Sequence, residues 1–242
     1  MINKIVPDLE SALEGIQDGS TILIGGFGGA GMPNYLIDGL IAQGARDLTL
    51  VSNNAGNGEQ GIAALLKAGR VRKIICSFPR QADSQIFDGL YRAGKVELEL
   101  APQGNLAERI RAAGAGIGGF FTPTGYGTDL AKGKETRNIN GRNYVLEYPI
   151  HADVGLVKAL RGDRWGNLTY RKAARNFGPI IAAAARLTIV QVEELVELGA
   201  LDPESIVTPG IYVQRIVRVA GAQAGAQTTT QPFAQPDAEE AP

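Results

Sequence analysis

Short apolar runs alternate with amphipathic stretches through the first half of the chain. Leu9, Ala12, Leu13 and Ile16 recur at helical spacing, and Asp18-Gly19 turns the chain out of that helix. Thr21-Ile22-Leu23-Ile24 is a short, nearly continuous apolar run and predicts a buried strand. Leu36, Ile37, Leu40 and Ile41 return to helical spacing behind Pro33, whose fixed φ suits a first helical turn. The pattern then repeats. A strand is predicted over 48–51, a helix around Ile62, Leu65 and Leu66 closed by Gly69, and a buried strand over 71–76. A helix over 86–93 and a strand over 96–100 follow. Asn105 with Glu108 three residues on has the form of a capping box, opening a helix through Ala112. Strands that alternate with helices in this way predict an α/β fold, an open, mostly parallel sheet with helices on both faces.

The second half reads differently. Residues 114–127 are dense in glycine, and Asn140-Gly141 predicts a hairpin turn between 136–139 and 142–147. Buried strands are expected over 152–159 and 187–192, a helix over 179–185 and a last strand over 211–217. From Ala220 onward the chain is Ala, Gly, Gln, Thr and Pro with a small acidic end, too poor in apolar surface to fold. The expected organisation is one domain over 1–219 and a disordered tail over 220–242.

Composition narrows the function. The 242 residues carry a formal net charge of -1, which gives no electrostatic case for nucleic acid or an anionic membrane surface. A single cysteine, Cys76, excludes an internal disulfide and suits a reducing cytoplasm. The start resembles neither a signal nor a transit peptide, and no apolar run approaches membrane-spanning length.

The richest local signal is Gly25-Gly26-Phe27-Gly28-Gly29-Ala30-Gly31, between the first strand and the next helix. Gly26 to Gly31 spell G-x-G-x-x-G, the dinucleotide fingerprint. That reading also demands an acid at the end of the following strand to hold a ribose. Ser52-Asn53-Asn54-Ala55-Gly56 stands there instead, and Asp47 lies at the wrong end of the strand. A nicotinamide site is therefore disfavoured, and the glycines read as close backbone approach to a ligand or a neighbouring subunit.

No nucleophile device is evident. The chain lacks G-x-S-x-G, H-E-x-x-H and C-x-x-C motifs, and its one histidine, His151, has no obvious partner. No metal is expected, since His and Cys ligands are not clustered. Cys76 ends an apolar strand and reads as a small core residue. Glu193-Glu194 read as an exposed pair at a helix start, and residues 163–167 as a tight turn with Trp165 packing. Two explanations remain open: a binding module, or one half of an enzyme whose reactive group lies on another chain.

Five motifs in register sharpen the choice. They are Gly25-Gly26-Phe27-Gly28 with Gly31 and Pro33, Ser52-Asn53-Asn54-Ala55-Gly56, the segment from Pro102 to Ile110, Thr122-Pro123-Thr124-Gly125-Tyr126-Gly127, and the segment from Arg171 to Phe177. With them the chain resembles the A (alpha) subunit of the family I 3-oxoacid CoA-transferases, from about Ile2 to Val219. The segments from Cys76 to Gln81 and from Gly162 to Tyr170 resemble the branch that accepts 3-oxoadipate, in the β-ketoadipate pathway of aromatic catabolism.

The resemblance implies a partner. The family's B subunit carries a catalytic glutamate in a Ser-Glu-Asn-Gly loop, and Asn53-Asn54 occupy the corresponding loop here, so no catalytic residue is expected on this chain. A heterodimer or an α2β2 heterotetramer is implied. Coenzyme A enters as substrate, in succinyl-CoA, and no cofactor is permanently bound. Gly25, Gly26, Phe27, Gly28, Gly29 and Gly31 are expected at the substrate pocket or the subunit interface. Asn53, Asn54 and Gln103, with Gly104, are expected to offer amide hydrogen bonds to the substrate. Arg80, just beyond a strand end, is a candidate to grip the second carboxylate of 3-oxoadipate. Two alternatives stay open: acetoacetate as the acceptor, and a non-catalytic module that binds CoA or a sugar phosphate.

Overall fold

The apolar runs become strands covered on both faces. In the computed structural model, which describes residues 1–219, the main sheet contains β1 (Thr21–Ile24), β2 (Leu48–Val51), β3 (Val71–Cys76), β4 (Glu97–Leu100), β8 (Ala152–Asp163), β10 (Ala185–Val196) and β11 (Arg215–Arg218). Their order is β11-β10-β8-β1-β2-β3-β4 and every pairing along it is parallel. The eighth strand, β9 (Leu168–Thr169), folds back antiparallel on the end of β8. A separate antiparallel sheet joins β5 (Phe120–Thr122), β6 (Thr136–Ile139) and β7 (Arg142–Glu147) in the order β5-β7-β6. The tail expected over 220–242 lies outside the described residues.

Side-chain alternation divides the core in two. Ile22, Ile24, Leu48, Leu50 and Ile74 point to one face, where they meet α1 (Leu9–Leu13), α2 (Asn34–Gln43), α3 (Ile62–Lys67) and α4 (Gln85–Arg92). Leu23, Val51, Ile75, Val157 and Val190 point to the other, under α5 (Gln103–Gly114) and α6 (Gly178–Ala184). A strand buried on both faces has few polar positions to alternate, which is why β1, β2 and the end of β3 read as nearly continuous apolar runs.

The chain winds outward from β1 through β2 and β3 to β4. It then returns by α5 and the small sheet to β8, on the other side of β1. The winding direction reverses between β1 and β8, the place where open α/β sheets bind ligands beyond the carboxyl ends of their strands.

Local expectations hold with instructive exceptions. Asn140 (φ 50°) and Gly141 (φ 80°) make the hairpin between β6 and β7. Gly69 (φ 68°) closes α3. Pro33 caps α2 from outside its first turn. Asn105 is no cap, because α5 already begins at Gln103. It is buried, and its Nδ2 donates to the Thr124 carbonyl and to Glu147, both at 3.2 Å, while Glu108 pairs with Arg111. β8 and β10 outrun their apolar cores because cross-strand ion pairs, Lys158–Glu193 and Arg161–Glu194, carry the ladder onward. Glu193 and Glu194 therefore lie in a strand, not at a helix start. Within 211–217 only the final residues are strand. Gly210–Tyr212 form a 3-10 turn, where Gly210 is pressed on the Trp165 backbone and donates its N–H to Asn167 Oδ1 at 2.9 Å. Trp165 does not pack as expected. It is half-exposed, with Arg164 lying over its ring.

Candidate functional site

The site begins with how the glycine loop closes. Phe27 and Ala30 exchange backbone hydrogen bonds of 3.0 and 3.1 Å, so Gly28 and Gly29 form a two-residue hairpin turn with Gly28 at φ 58°. Gly25 and Gly26 lie deeper. The Gly25 N–H donates to the Leu156 carbonyl on β8, and Gly26 (φ 119°) is pressed against Met32. Gly31 (φ 77°) meets the backbone of Ala174, where Asn176 Nδ2 also donates to the Ala30 carbonyl at 3.0 Å. The loop thus folds on itself and is clamped by the segment before α6.

This arrangement disposes of the dinucleotide reading. A phosphate on a glycine-rich motif needs free amides at the following helix N-terminus. At α2 the Leu36 N–H instead donates to the buried Gln191 side chain at 3.2 Å, and the Asn34 N–H donates to the Met32 carbonyl.

Beyond the carboxyl ends of β1, β2, β8 and β10 lies a crevice of about 720 Å³. Its walls are residues 28–32, the 54–62 loop with the start of α3, residues 158–160 of β8, and residues 171–174 before α6. Asn34, Gln81 and Glu193 complete it. The charged groups on these walls are Lys158, Arg171, Lys172 and Glu193, and Glu193 is held by Lys158 at 3.1 Å. The remaining two cations leave the crevice positive.

The two asparagines of the 52–56 loop have different surroundings. Asn53 Oδ1 accepts from Ser77 Oγ at 2.9 Å, and the Asn53 carbonyl accepts from the backbone of Ser77 and Phe78. Asn53 therefore ties the end of β2 to the end of β3. Asn54 Oδ1 accepts from the Gly56 N–H at 2.9 Å, which fixes the orientation of its amide. Its Nδ2 is buried on the crevice wall with no hydrogen-bond partner in the chain. A buried unpaired donor is costly, so a group that lines a cavity in this state is ready for a ligand acceptor.

The other expected site residues lie apart. Gln103 and Gly104 are exposed at the start of α5, beyond β4, and do not line the crevice. Phe27 is half-exposed beside it. Arg80 Nε donates to Asp88 at 2.7 Å and lines a smaller, mainly apolar pocket of about 260 Å³ with Phe78, Phe87, Tyr91 and Leu98. His151 is exposed at the start of β8. Burial pushes the Cys76 thiol up to about 12, against a weaker opposing hydrogen bond from the Phe78 backbone, so it is no thiolate nucleophile. Among the described residues no group of three or more His, Cys, Asp or Glu is placed to hold a metal. Lys158 had no motif to mark it, and Gln81 ended a segment that carried only the resemblance to the 3-oxoadipate branch. Arg171 and Lys172 did fall within a motif, but nothing in it assigned them to a cavity.

The site is a crevice with a glycine hairpin at the switch point of a doubly wound sheet, and comparison with known families supplies the class. The family described as "Coenzyme A transferase" matches residues 6–219, and the chain belongs to it. It is 72% identical over 224 residues to the A (alpha) subunit of 3-oxoadipate CoA-transferase from Pseudomonas putida, covering 93% of this chain and 97% of the relative. It is 65% identical to the protein of the same name from Acinetobacter baylyi, covering 93% and 99%. The fold also matches the crystal structure of glutaconate coenzyme A-transferase from Acidaminococcus fermentans, with a TM-score of 0.79 at 22% identity, over 89% of this chain and 75% of that one.

Proposed function

We propose that this chain is the alpha subunit of a two-subunit 3-oxoadipate CoA-transferase, which moves CoA from succinyl-CoA to 3-oxoadipate and releases succinate. The observation that carries the reading is the 72% identity, over 93% of this chain and 97% of the relative, with the Pseudomonas putida protein of that name. The partner is a B subunit that contributes a glutamate nucleophile, in a heterodimer or an α2β2 assembly in the cytoplasm.

The chemistry is a relay of acyl substitutions. The partner's glutamate attacks the succinyl thioester, forming an acyl-glutamyl anhydride and releasing CoA thiolate. The thiolate attacks the glutamyl carbonyl, which frees succinate and leaves a glutamyl thioester. A carboxylate of 3-oxoadipate attacks that thioester, forming a second anhydride and releasing the thiolate again. The thiolate then takes the new acyl group and regenerates the glutamate. No proton moves to or from carbon, which agrees with a chain whose one histidine stands exposed and apart from the crevice.

This chain supplies a wall. Gly28 and Gly29, exposed and without side chains, let the partner's active-site loop approach the backbone. Asn54 offers an amide donor as charge moves between oxygen and sulfur. Asn53 acts one step back, through its tie to Ser77. Walls on both sides keep water from the anhydride and thioester intermediates.

The test is CoA transfer from succinyl-CoA by this chain, by the neighbouring-gene chain with the Ser-Glu-Asn-Gly loop, and by both. We expect turnover only with both, and faster with 3-oxoadipate than with acetoacetate. Preference for acetoacetate would overturn the substrate and leave the relay standing. Turnover by this chain alone would overturn the division of labour.

A further inference from the structure

The smaller pocket, of about 260 Å³, shares no lining residue with the crevice. β4 is the outermost strand of the main sheet. Leu98 stands near the start of β4 and Tyr91 near the end of α4, so the pocket reaches down the flank of the edge strand, away from the carboxyl ends that hold the crevice. Its apolar lining is mostly aromatic. Phe87 is buried at 2% exposure and stacks on Tyr91, with 5.7 Å between ring centroids and 13° between planes. Phe78, 61% exposed, leaves a third ring beside it.

The one charged group on this lining is held in a fixed posture. Arg80 Nε donates to Asp88 Oδ1 at 2.7 Å, and neither Nη group has a hydrogen-bond partner among the described residues. A guanidinium that uses Nε on one carboxylate keeps the Nη1 and Nη2 donors for another. Asp88 balances the charge of Arg80, so the remaining attraction is short-range and directional. That suits a single carboxylate rather than a polyanion. Drug-sized ligands occupy about 300–1,000 Å³, and a cavity just below that range suits one ring.

We propose that this pocket binds a small aromatic monocarboxylate, at a site separate from the crevice. The ring lies among Phe78, Phe87 and Tyr91, where aromatic pairing adds to area burial, and the carboxylate accepts from the Nη groups of Arg80. The site also borders the asparagine loop. The Phe78 N–H donates to the Asn53 carbonyl at 3.1 Å, and Asn54 and Phe78 are parallel bridge partners. A ligand seated against Phe78 is therefore one backbone bond from the loop whose Asn54 lines the crevice, and its binding slows exchange of that amide. The inference goes beyond the transfer reaction and does not depend on it.

Titration calorimetry on the full chain, co-purified with its partner subunit, tests the site without turnover. The probes are benzoate, benzamide and 3-oxoadipate. Benzoate should bind with a Kd of about 1 mM or tighter, as expected for one ring and one charge. Benzamide, of the same shape without the charge, should bind about fivefold more weakly. Arg80 and Phe78 are both exposed, so substitutions there spare the fold. Arg80→Gln should weaken benzoate about fivefold, the upper end for a solvent-exposed ion pair, and leave benzamide unchanged. Phe78→Ala should weaken both about fivefold. Hydrogen exchange should slow at 76–80 and along α4 when benzoate binds, and not at 171–174.

Equal affinity for benzoate and benzamide, or unchanged benzoate affinity in Arg80→Gln, would overturn the proposal. Displacement of benzoate by 3-oxoadipate would overturn it as well, since the pocket would then belong to the reaction site. A subunit pair that does not bind benzoate would also overturn it, and would point to the partner subunit as the occupant of the pocket.

Discussion

Gly31 and Ala174 are in backbone contact so close that no side chain fits at Gly31, where a methyl group would collide with the Ala174 carbonyl oxygen. This contact joins the glycine hairpin after β1 to the segment before α6, and both line the crevice. Gly31→Ala must therefore move one wall or the other, in addition to straining a backbone at φ 77°. We expect it to destabilise the fold by about 3 kcal/mol. Gly28→Ala, with nothing within 4 Å of the added methyl, should cost about 1 kcal/mol through φ alone. Urea midpoints of the two variants decide this, and equal shifts would show that the contact carries no weight.

Glu147 secures the small sheet to α5. It is 4% exposed, accepts from Lys134 at 2.8 Å and from Asn105 Nδ2 at 3.2 Å, and has Arg109 at 3.8 Å. Glu147→Ala leaves buried donors and cations without their acceptor and should cost about 3 kcal/mol. Hydrogen exchange should accelerate across β5, β6 and β7 before it does in β1 or β8. Uniform acceleration through both sheets would contradict a local tie.

Glu99 sets an acid limit. Burial raises its pKa, but hydrogen bonds and charge from Lys73 and Arg109 outweigh that, and the carboxyl sits below its ordinary value near 4.5. A depressed folded value means that the ionised form favours folding. The stabilisation is complete above about pH 4.5 and is lost as pH falls through the lower, folded value. Glu99→Gln should therefore flatten the fall in stability below pH 4.5, as measured by urea unfolding at a series of pH values. An unaltered acid limb would remove Glu99 from the explanation.

Cys76 should be silent to thiol reagents. Its side chain is fully buried and its pKa is pushed up to about 12. At pH 8 the native chain should react with a disulfide reagent only as fast as it opens, and one thiol should appear at once in denaturant. Rapid reaction of the native protein would mean that the end of β3 is open.

Arg80 is engaged with Asp88 and faces the smaller pocket. Arg80→Ala should therefore change turnover of 3-oxoadipate and of acetoacetate equally, and by less than threefold, within the small effect of a surface ion pair of about 0.5 kcal/mol. A loss confined to 3-oxoadipate would mean that Arg80 leaves Asp88 to hold the second carboxylate.

Much of the fold was legible because parallel strands buried on both faces advertise themselves as apolar runs, as 22–24 and 74–76 do, and 48–51 with Thr49 as its one polar residue. The hairpin at Asn140-Gly141 was equally plain, since few other pairs accept two left-handed residues in succession. Glu193 and Glu194 misled for a physical reason. Charges in a strand are tolerated when the neighbouring strand supplies Lys158 and Arg161, and that pairing joins residues more than thirty positions apart. Ile211 looked like strand by its side chain, yet Gly210 turns the backbone there to fit beneath Trp165. At the site, the glycine hairpin and the asparagine loop were visible as motifs. Their division of work was not, because Asn53 and Asn54 are adjacent and chemically identical until Ser77 and Gly56 claim their oxygens.

The sequence by itself determined the α/β alternation, the glycine-rich turn after β1 and the family, since each depends on residue type and spacing along the chain. Only the tertiary structure decided that the chain reverses its winding between β1 and β8, and that residues 28–32, 54–62, 158–160 and 171–174 share one crevice. It alone decided which asparagine keeps a free donor and which cations lack a partner. Those outcomes depend on contacts between segments far apart in the chain, whose geometry is set when both faces of the sheet are buried at once.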